Sequence, residues 1–210
     1  MSPKVYKSLL DPRESVLVLV DHQPPMLLRV ASGERRTLVN NATALAKTAR
    51  AFGVPTVLTG TATETLPGTL LSEFADVFPG HDVIDRTRIN AWADDRVRDA
   101  VLTTGRRQLI IAGLWTEVCV VLPALSALEE GREVYVVADA SAGATPEAHR
   151  LGLQRITQAG GVPLTWLQLL GEFQRDWARQ ETRAAVDAIM RDHGGAWEHR
   201  PLDRTSLPTR

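Results

Sequence analysis

Short apolar runs alternate with longer segments of helical spacing along most of this chain, and this alternation most constrains its fold. Apolar residues recur at helical intervals between the runs, as at Leu38, Leu45 and Phe52. The runs are apolar on both faces, as strands are when helices cover both sides of a sheet. We therefore predict a three-layer α/β/α sandwich around a six-stranded, mainly parallel, doubly wound (Rossmann-like) sheet. The predicted strands are Val16 to Val20, Pro55 to Thr59, Asp82 to Ile84, Leu109 to Ala112, Val134 to Ala138 and Val162 to Trp166.

No linker or composition break divides the chain before about residue 190. Its 210 residues suit one domain, which we place at residues 1–190. Residues 191–210 are polar and are predicted to form a C-terminal tail. Because the indole of Trp197 is costly to leave in water, we expect the tail to pack on a neighbouring subunit. A frayed terminus is the alternative.

Charge and cysteine content limit which binding partners and which cellular compartment are expected. The formal net charge is -1, from 24 basic and 25 acidic side chains, so neither nucleic acid nor an anionic membrane is an expected partner. The only apolar run near the N-terminus, Val16 to Val20, is too short for a signal segment or a membrane span. A single cysteine excludes an intrachain disulfide and a cysteine-based zinc site. We expect a cytoplasmic protein that acts on a small molecule.

Asp21 is the first candidate functional residue. In a doubly wound sheet, ligands bind beyond the carboxyl ends of the strands, near the point where strand order reverses. Asp21 directly follows the first predicted strand, and Gln23 lies two residues further on. Pro24 and Pro25 are expected to keep a helix from starting at once, which favours a loop position for Asp21. A carboxylate there could act as a general base, or could only cap a turn.

The single cysteine, Cys119, follows the fourth predicted strand. Thr116 is predicted to cap the next helix, so Cys119 would lie in the first turn, where unpaired amides and the helix dipole stabilise a thiolate. Taken alone, a cysteine between Val118 and Val120 is more often a small buried hydrophobe. Its place beyond a central strand favours a nucleophile.

Two arginines follow the third predicted strand, in the segment from Asp85 to Trp92. Either Arg86 or Arg88 could fold over the strand ends and pair with Asp21. The alternative is a solvated basic loop.

At these three segments the sequence resembles the isochorismatase-like cysteine hydrolases, over roughly residues 10 to 180. The resemblance is carried by VLVLVDHQ at the first strand, RTRINAW in the middle, AGLWTEVCV at the cysteine and PALSALEEGREVYVVADAS after it. The NAW and GLWTEVC forms are most similar to the YcaC-type branch.

The resemblance implies a role for each candidate residue. Asp21 matches the family's base, Cys119 its nucleophile, and Arg86 a position where many members have lysine, with Arg88 as a competitor for that position. Because arginine does not give up its proton at working pH, its role is expected to be positional and electrostatic. Trp115 matches the residue after a non-proline cis peptide bond. Its amide and that of Cys119 are expected to form an oxyanion hole.

A substrate pocket is expected to be lined by Gln23, Asn90, Trp92 and Trp115, although core or interface packing is an equal alternative for the tryptophans. The histidines show no ligand spacing. His22 could line the pocket, with a surface or capping role as the alternative, and His149 is interpreted as structural.

Thr59 to Gly68 contains no histidine, whereas metal-binding nicotinamidases carry histidines on the corresponding loop, so we expect no metal and no cofactor. The resemblance implies a metal-independent cysteine hydrolase that cleaves an amide, carbamoyl or related C–N bond through a thioester-type intermediate, within a homo-oligomer, octameric or smaller. The alternatives are an oligomeric binding protein with little hydrolytic activity, or a redox-sensing thiol.

Overall fold

The computed structural model describes residues 9–62 and 70–195, so residues 196–210 of the predicted tail, with Trp197, lie outside the described part. A single sheet of six strands is present, in the order β3-β2-β1-β4-β5-β6, and all neighbouring strands pair in parallel. The predicted three-layer architecture is thereby confirmed. The strands are β1 (Ser15–Val20), β2 (Thr56–Thr61), β3 (Val83–Arg86), β4 (Gln108–Gly113), β5 (Glu133–Val137) and β6 (Val162–Leu164).

Helices connect the strands and cover both faces of the sheet. They are α1 (Pro24–Leu27), α2 (Arg35–Ala51), α3 (Ser72–Val77), α4 (Asp95–Thr103), α5 (Val121–Glu129), α6 (Pro146–Gln158), α7 (Trp166–Gln174) and α8 (Gln180–His193). Short 3₁₀ turns lie at Ala91–Ala93 and Ala138–Ala140, and a π-helical turn lies at Thr116–Val120. Within the two described ranges, no helix has both the length and the apolar character needed to cross a bilayer.

Side chains of the four central strands, β2, β1, β4 and β5, alternate between two apolar layers. On β1, Leu17 and Leu19 pack in the layer formed with α2, α3, α7 and α8. Val16, Val18 and Val20 pack in the layer formed with α4, α5 and α6. This alternation explains why the strands are apolar throughout, because each face of the sheet meets helices instead of water.

Strand boundaries differ from the predictions by one or two residues, and β3 extends to Arg86 instead of ending at Ile84. Two other differences have a clear local cause. Strand β6 ends at Leu164, not at Trp166, because the Thr165 side chain accepts a hydrogen bond from the Gln168 amide at 3.2 Å and caps α7. Helix α1 begins at Pro24, directly after the Asp21 loop, although the two prolines were expected to delay it. A proline at the first helical position lacks only an N–H that would have no intrahelical acceptor, so it does not hinder the helix.

Strand order reverses between β1 and β4, which are neighbours at the centre of the sheet. These strands approach each other closely at their carboxyl ends, where Gly113 is paired with Val20. A Cβ atom at Gly113 would lie 2.5 Å from the Val20 carbonyl oxygen, so a side chain does not fit there. The segments that carry Asp21 and Cys119 therefore leave the sheet side by side at the predicted ligand-binding edge.

Candidate active site

Asp21 is fully buried at the end of β1 and has a left-handed backbone, with φ of 55°. Its amide donates to the Thr59 carbonyl at 2.9 Å, and its own carbonyl accepts from the Gln23 amide at 2.7 Å. A non-glycine residue in this region carries a backbone cost on the order of 1–3 kcal/mol, and such residues cluster at functional sites. The fold thus holds Asp21 in an unfavourable conformation that directs the chain away from the strand.

Arg86, the last residue of β3, pairs with Asp21. Its Nη2 donates to Asp21 Oδ2 at 2.6 Å, and neither side chain is exposed to solvent. Its Nη1 donates to the backbone carbonyls of Arg88 and of Ile89, the latter at 3.2 Å. The structure therefore places Arg86 against the carboxylate, while Arg88 is exposed and contributes only a backbone acceptor.

Cys119 lies in the π-helical turn that follows β4, and it is 7% exposed. The Trp115 carbonyl accepts the amides of Val118, Cys119 and Val120, at 3.1, 2.8 and 3.4 Å. The prediction that Thr116 caps a regular helix is wrong. Trp115 occupies the cap position, and the Thr116 hydroxyl lies 2.7 Å from His149 Nδ1.

Burial controls the ionisation of the two central groups. It raises the pKa of Asp21, against the opposing effect of the Arg86 guanidinium. Burial, together with the negative charge of Asp21, raises the pKa of Cys119 to about 12. The expected stabilisation of a thiolate by the helix end is therefore not found, because desolvation outweighs it. At neutral pH the sulfur of Cys119 is therefore a thiol.

The thiol and the carboxylate influence each other's ionisation. The proximity of Cys119 lowers the pKa of Asp21, and the proximity of Asp21 raises the pKa of Cys119. No described residue makes a hydrogen bond of ordinary geometry with Asp21 Oδ1. One oxygen of the carboxylate is thus held by Arg86, and the other remains available to take a proton from the neighbouring sulfur.

The cis peptide bond expected before Trp115 is present, between Leu114 and Trp115. Among the described residues, the Trp115 amide has no hydrogen-bond acceptor, as an oxyanion donor requires. The Cys119 amide differs from the expectation, because it already donates to the Trp115 carbonyl at 2.8 Å within the turn. Trp115 therefore supplies the more accessible of the two expected donors.

Two residues expected to line the pocket make hydrogen bonds that support the backbone. Gln23 accepts from the Thr61 amide at 3.0 Å and donates to the Thr61 carbonyl at 3.3 Å, which links the Asp21 loop to β2. The Asn90 side chain accepts from the Trp92 amide at 3.0 Å and donates to Ser126 Oγ at 3.0 Å. Both carboxamides therefore have a structural role, and their contact with a substrate stays a prediction.

The two tryptophans occupy different environments. Trp92 is 3% exposed and belongs to the same apolar cluster as Cys119, and no hydrogen-bond partner is found for its Nε1 within the described residues. Trp115 is half-buried beside Leu114, and its Nε1 donates to the Met26 carbonyl at 3.1 Å. Trp115 thus connects the cysteine loop to α1, the helix that follows the Asp21 loop.

His22 is buried in the core, not at the surface and not at a helix cap. Its Nε2 donates to the Ala140 carbonyl at 2.9 Å, and its ring meets Phe74 edge-on at a centroid distance of 5.1 Å. Burial lowers the pKa of His22 to about 4, with the Ala140 hydrogen bond opposing the shift. The imidazole is therefore neutral at physiological pH.

This burial predicts a pH dependence of stability. Because the folded-state pKa of about 4 lies below the reference value of 6.5, the contribution of His22 is present above pH 6.5 and is lost as the pH falls towards 4. The full shift corresponds to on the order of 3 kcal/mol. Denaturant unfolding between pH 7 and 4 should show a smaller acid loss for His22→Gln, whose amide retains a donor for Ala140. Equal losses in both proteins would contradict the prediction.

Two residues next to the site were not identified as functional from the sequence. Gly113 permits the close approach of β1 and β4, and its position as the last strand residue was the only indication of this role. His149 was interpreted as structural, and its contact with Thr116 becomes visible only when α6 packs against the cysteine turn.

Comparisons with known proteins show the family and the fold of this chain. The Isochorismatase domain model matches residues 15–168. The chain is 44% identical over 170 residues to Probable hydrolase YcaC of Escherichia coli (strain K12), which spans 80% of this chain and 81% of that protein. The structure resembles that of YcaC from Escherichia coli, described as an octameric hydrolase of unknown specificity, with a TM-score of 0.87, 38% identity and coverage of 91% and 94% of the two chains. It also resembles YcaC from Pseudomonas aeruginosa with hexane-2,5-diol and covalent acrylamide, with a TM-score of 0.87, 39% identity and coverage of 92% and 95%.

Proposed function

The chain belongs to the isochorismatase family, and from that premise we propose that it is a metal-independent cysteine hydrolase of small molecules that contain an amide, carbamoyl or related C–N bond. The observation that carries the proposal is the fully buried pair of Asp21 and Arg86, both members of which influence the pKa of the Cys119 thiol. A buried ion pair next to a lone thiol is expensive to maintain and is expected where it serves chemistry.

In the first half of the proposed reaction, the Cys119 proton moves to the Asp21 carboxylate. The resulting thiolate attacks the carbonyl carbon and forms a C–S bond, while the Trp115 amide donates to the developing oxyanion. When the tetrahedral species collapses, the C–N bond breaks and the nitrogen takes the proton from Asp21. The raised pKa of Asp21 suits this exchange, since it makes the carboxylate a better base towards the thiol.

In the second half, Asp21 removes a proton from water, which attacks the thioester carbon. The C–S bond breaks, the acid is released, and the sulfur regains its proton. Arg86 stays protonated throughout, and it orients Asp21 and keeps its pKa from rising further.

The burial of Cys119 weighs against the redox-sensing alternative. Redox-sensing cysteines are accessible and have a low pKa, whereas this thiol is 7% exposed and its pKa is raised. Within residues 9–62 and 70–195, no three metal-ligating side chains are grouped to hold an ion, and the proposed steps require none.

Covalent trapping tests the proposal. We expect intact-mass measurement after acid quenching to detect an acyl adduct when the protein is mixed with a panel of small amides, carbamates and p-nitrophenyl esters. Because the sequence has one cysteine, loss of the adduct in Cys119→Ser assigns it without peptide mapping. Acrylamide is a positive control, since a relative is described with covalent acrylamide. Turnover of a panel compound with no adduct at any time point would argue against the thioester route.

The pH dependence of acrylamide addition tests the role of Asp21. If the thiol and the carboxylate titrate as a coupled pair, the pair loses its first proton at the raised pKa of Asp21. Above that pH, every molecule holds the singly deprotonated pair, which is the reactive form. The wild-type rate should therefore level off above the raised pKa of Asp21 and below the thiol pKa of about 12. In Asp21→Asn only the thiol titrates, so the rate should keep rising on the alkaline side. Identical profiles for the two proteins would show that Asp21 does not act as the base.

We also propose that the chain forms a cytoplasmic homo-oligomer, octameric or smaller, because the Escherichia coli relative is described as octameric. Leu28 and Ile89 are 67% and 60% exposed, and they follow the segments that carry Asp21 and Arg86. Apolar side chains of this size are suited to a subunit contact. Light scattering of the purified protein measures its mass in solution, and a monomer would refute the proposal.

A further inference from the structure

One peptide group links the cysteine turn to the loop after β5. The Thr116 amide donates to the Ala142 carbonyl at 2.9 Å, and the Trp115 carbonyl of the same peptide group accepts the Cys119 amide at 2.8 Å. Because an amide and a carbonyl of one peptide plane move together, the position of the Cys119 backbone depends on how Thr116 is held.

The side chain of Thr116 supplies a second anchor. Thr116 is fully buried, and its Oγ1 lies 2.7 Å from Nδ1 of His149 on α6. Burial lowers the pKa of His149, so the ring is neutral at physiological pH and Nδ1 can accept the threonine hydroxyl proton. Thr116 is thus fixed by both its amide and its hydroxyl, from two different segments.

Helix α6 packs closely against the cysteine turn. A Cβ atom at Gly152 of α6 would lie 3.2 Å from Thr116 Cγ2 and 3.2 Å from Glu117 Cα, so the backbone of α6 lies directly against the turn. Just before α6, the Ala144 amide donates to Glu117 Oε1 at 2.9 Å. The turn is therefore held both by α6 and by the segment that leads into α6.

We propose that Thr116 and His149 are positioning residues that fix the Cys119 turn relative to Asp21, an inference that rests on the proposed cysteine mechanism. Neither side chain touches the reacting atoms. Their hydrogen bond sets the angle of the peptide group that holds the cysteine amide, and with it the approach of the sulfur to the base and of the Trp115 amide to the oxyanion. Small displacements of a nucleophile lower reaction rates strongly, so this contact should matter more for rate than for folding.

The test compares pairs of substitutions, with acrylamide addition to Cys119 as the readout. Thr116→Val removes the hydroxyl and keeps the shape, whereas Thr116→Ser keeps the hydroxyl. His149→Leu removes the acceptor, whereas the side-chain oxygen of His149→Asn can take the place of Nδ1. We expect the Val and Leu variants to react roughly tenfold or more slowly at neutral pH, and the Ser and Asn variants to stay within about threefold of wild type.

The double variant Thr116→Val/His149→Leu should be no slower than the slower single variant, because both remove the same hydrogen bond. Leu151→Ala, on the half-exposed surface of α6, is the matched control and should react like wild type. Thermal melting identifies any variant that does not fold. If Thr116→Val does not fold, the comparison of His149→Leu with His149→Asn tests the inference.

Wild-type rates in Thr116→Val and His149→Leu would overturn the inference, as would multiplied losses in the double variant. So would equal losses in the rescuing and non-rescuing variants, since a merely structural role makes no such distinction. If the wild-type protein does not react with acrylamide at all, the cysteine nucleophile itself is refuted, and the inference falls with it.

Discussion

Cys119→Ala is expected to lose hydrolysis of p-nitrophenyl acetate, the activated ester of the panel, by roughly 10³-fold or more at neutral pH. The substitution removes the only atom that can form the covalent intermediate and leaves Asp21 and Arg86 without a partner to activate. Stability should change little, because alanine fills most of the small buried site that the thiol occupies. Steady-state rates, corrected for the uncatalysed reaction, provide the measurement.

A matched control separates loss of chemistry from loss of packing. Val101 of α4 is fully buried in the same apolar layer as Cys119, and Val101→Ala creates a cavity without touching the site. This variant should unfold more readily, by about 1–3 kcal/mol, and retain its turnover below its melting temperature. Wild-type turnover in Cys119→Ala would exclude the thioester mechanism and would leave Asp21 acting directly on a water molecule.

The layered fold was predictable from the sequence because the same pattern of apolar strand and helical segment repeats along the chain. Each strand is apolar on both faces, and each is separated from the next by residues of helical spacing, so only a doubly covered sheet buries them all. The meeting of Asp21 and Arg86 was foreseeable for a related reason. Both residues end parallel strands, and such ends lie at one edge of the sheet even when they are far apart in the chain.

The details of the cysteine turn were not predictable, because distant partners decide them. A threonine three residues before Cys119 is typical of a helix cap, but here α6 offers His149 to the hydroxyl, and the turn widens to a π-helical form. The pKa of the thiol likewise depends on tertiary burial. A position at a helix end predicts a lowered thiol pKa, whereas burial raises it, because local position does not reveal desolvation.

The carboxamides of Gln23 and Asn90 show the same limit. Their place next to the candidate site residues predicts substrate contacts, but it does not reveal that each also bonds backbone groups of a turn. The way in which segments from different parts of the chain meet decides which backbone groups need a side-chain partner. These hydrogen bonds could therefore not be predicted from the position of the two residues in the sequence.

Arg86→Met is expected to lower the free energy of unfolding at neutral pH by about 3–5 kcal/mol, because it leaves the buried Asp21 carboxylate without its countercharge. Loss of the guanidinium also raises the pKa of Asp21 further, since Arg86 is the main influence that lowers it. A folded-state pKa above the unfolded value means that stability is retained at acid pH and lost as the pH rises through the folded pKa. The deficit relative to wild type should therefore be smallest at low pH, when measured by denaturant unfolding across the pH range.

The pair of Arg150 and Glu147 is a control with the same shortest N···O distance and different burial. It also has an N···O distance of 2.6 Å, but its side chains are 59% and 65% exposed, so Arg150→Met should cost less than about 1 kcal/mol. Adding Asp21→Asn to Arg86→Met removes the buried charge and should recover a large part of the lost stability, without restoring reaction with p-nitrophenyl acetate. Equal costs for Arg86→Met and Arg150→Met would show that burial does not control this ion pair. If the pair has a catalytic role, the double variant should recover stability but not turnover. A pair with only a structural role would recover both.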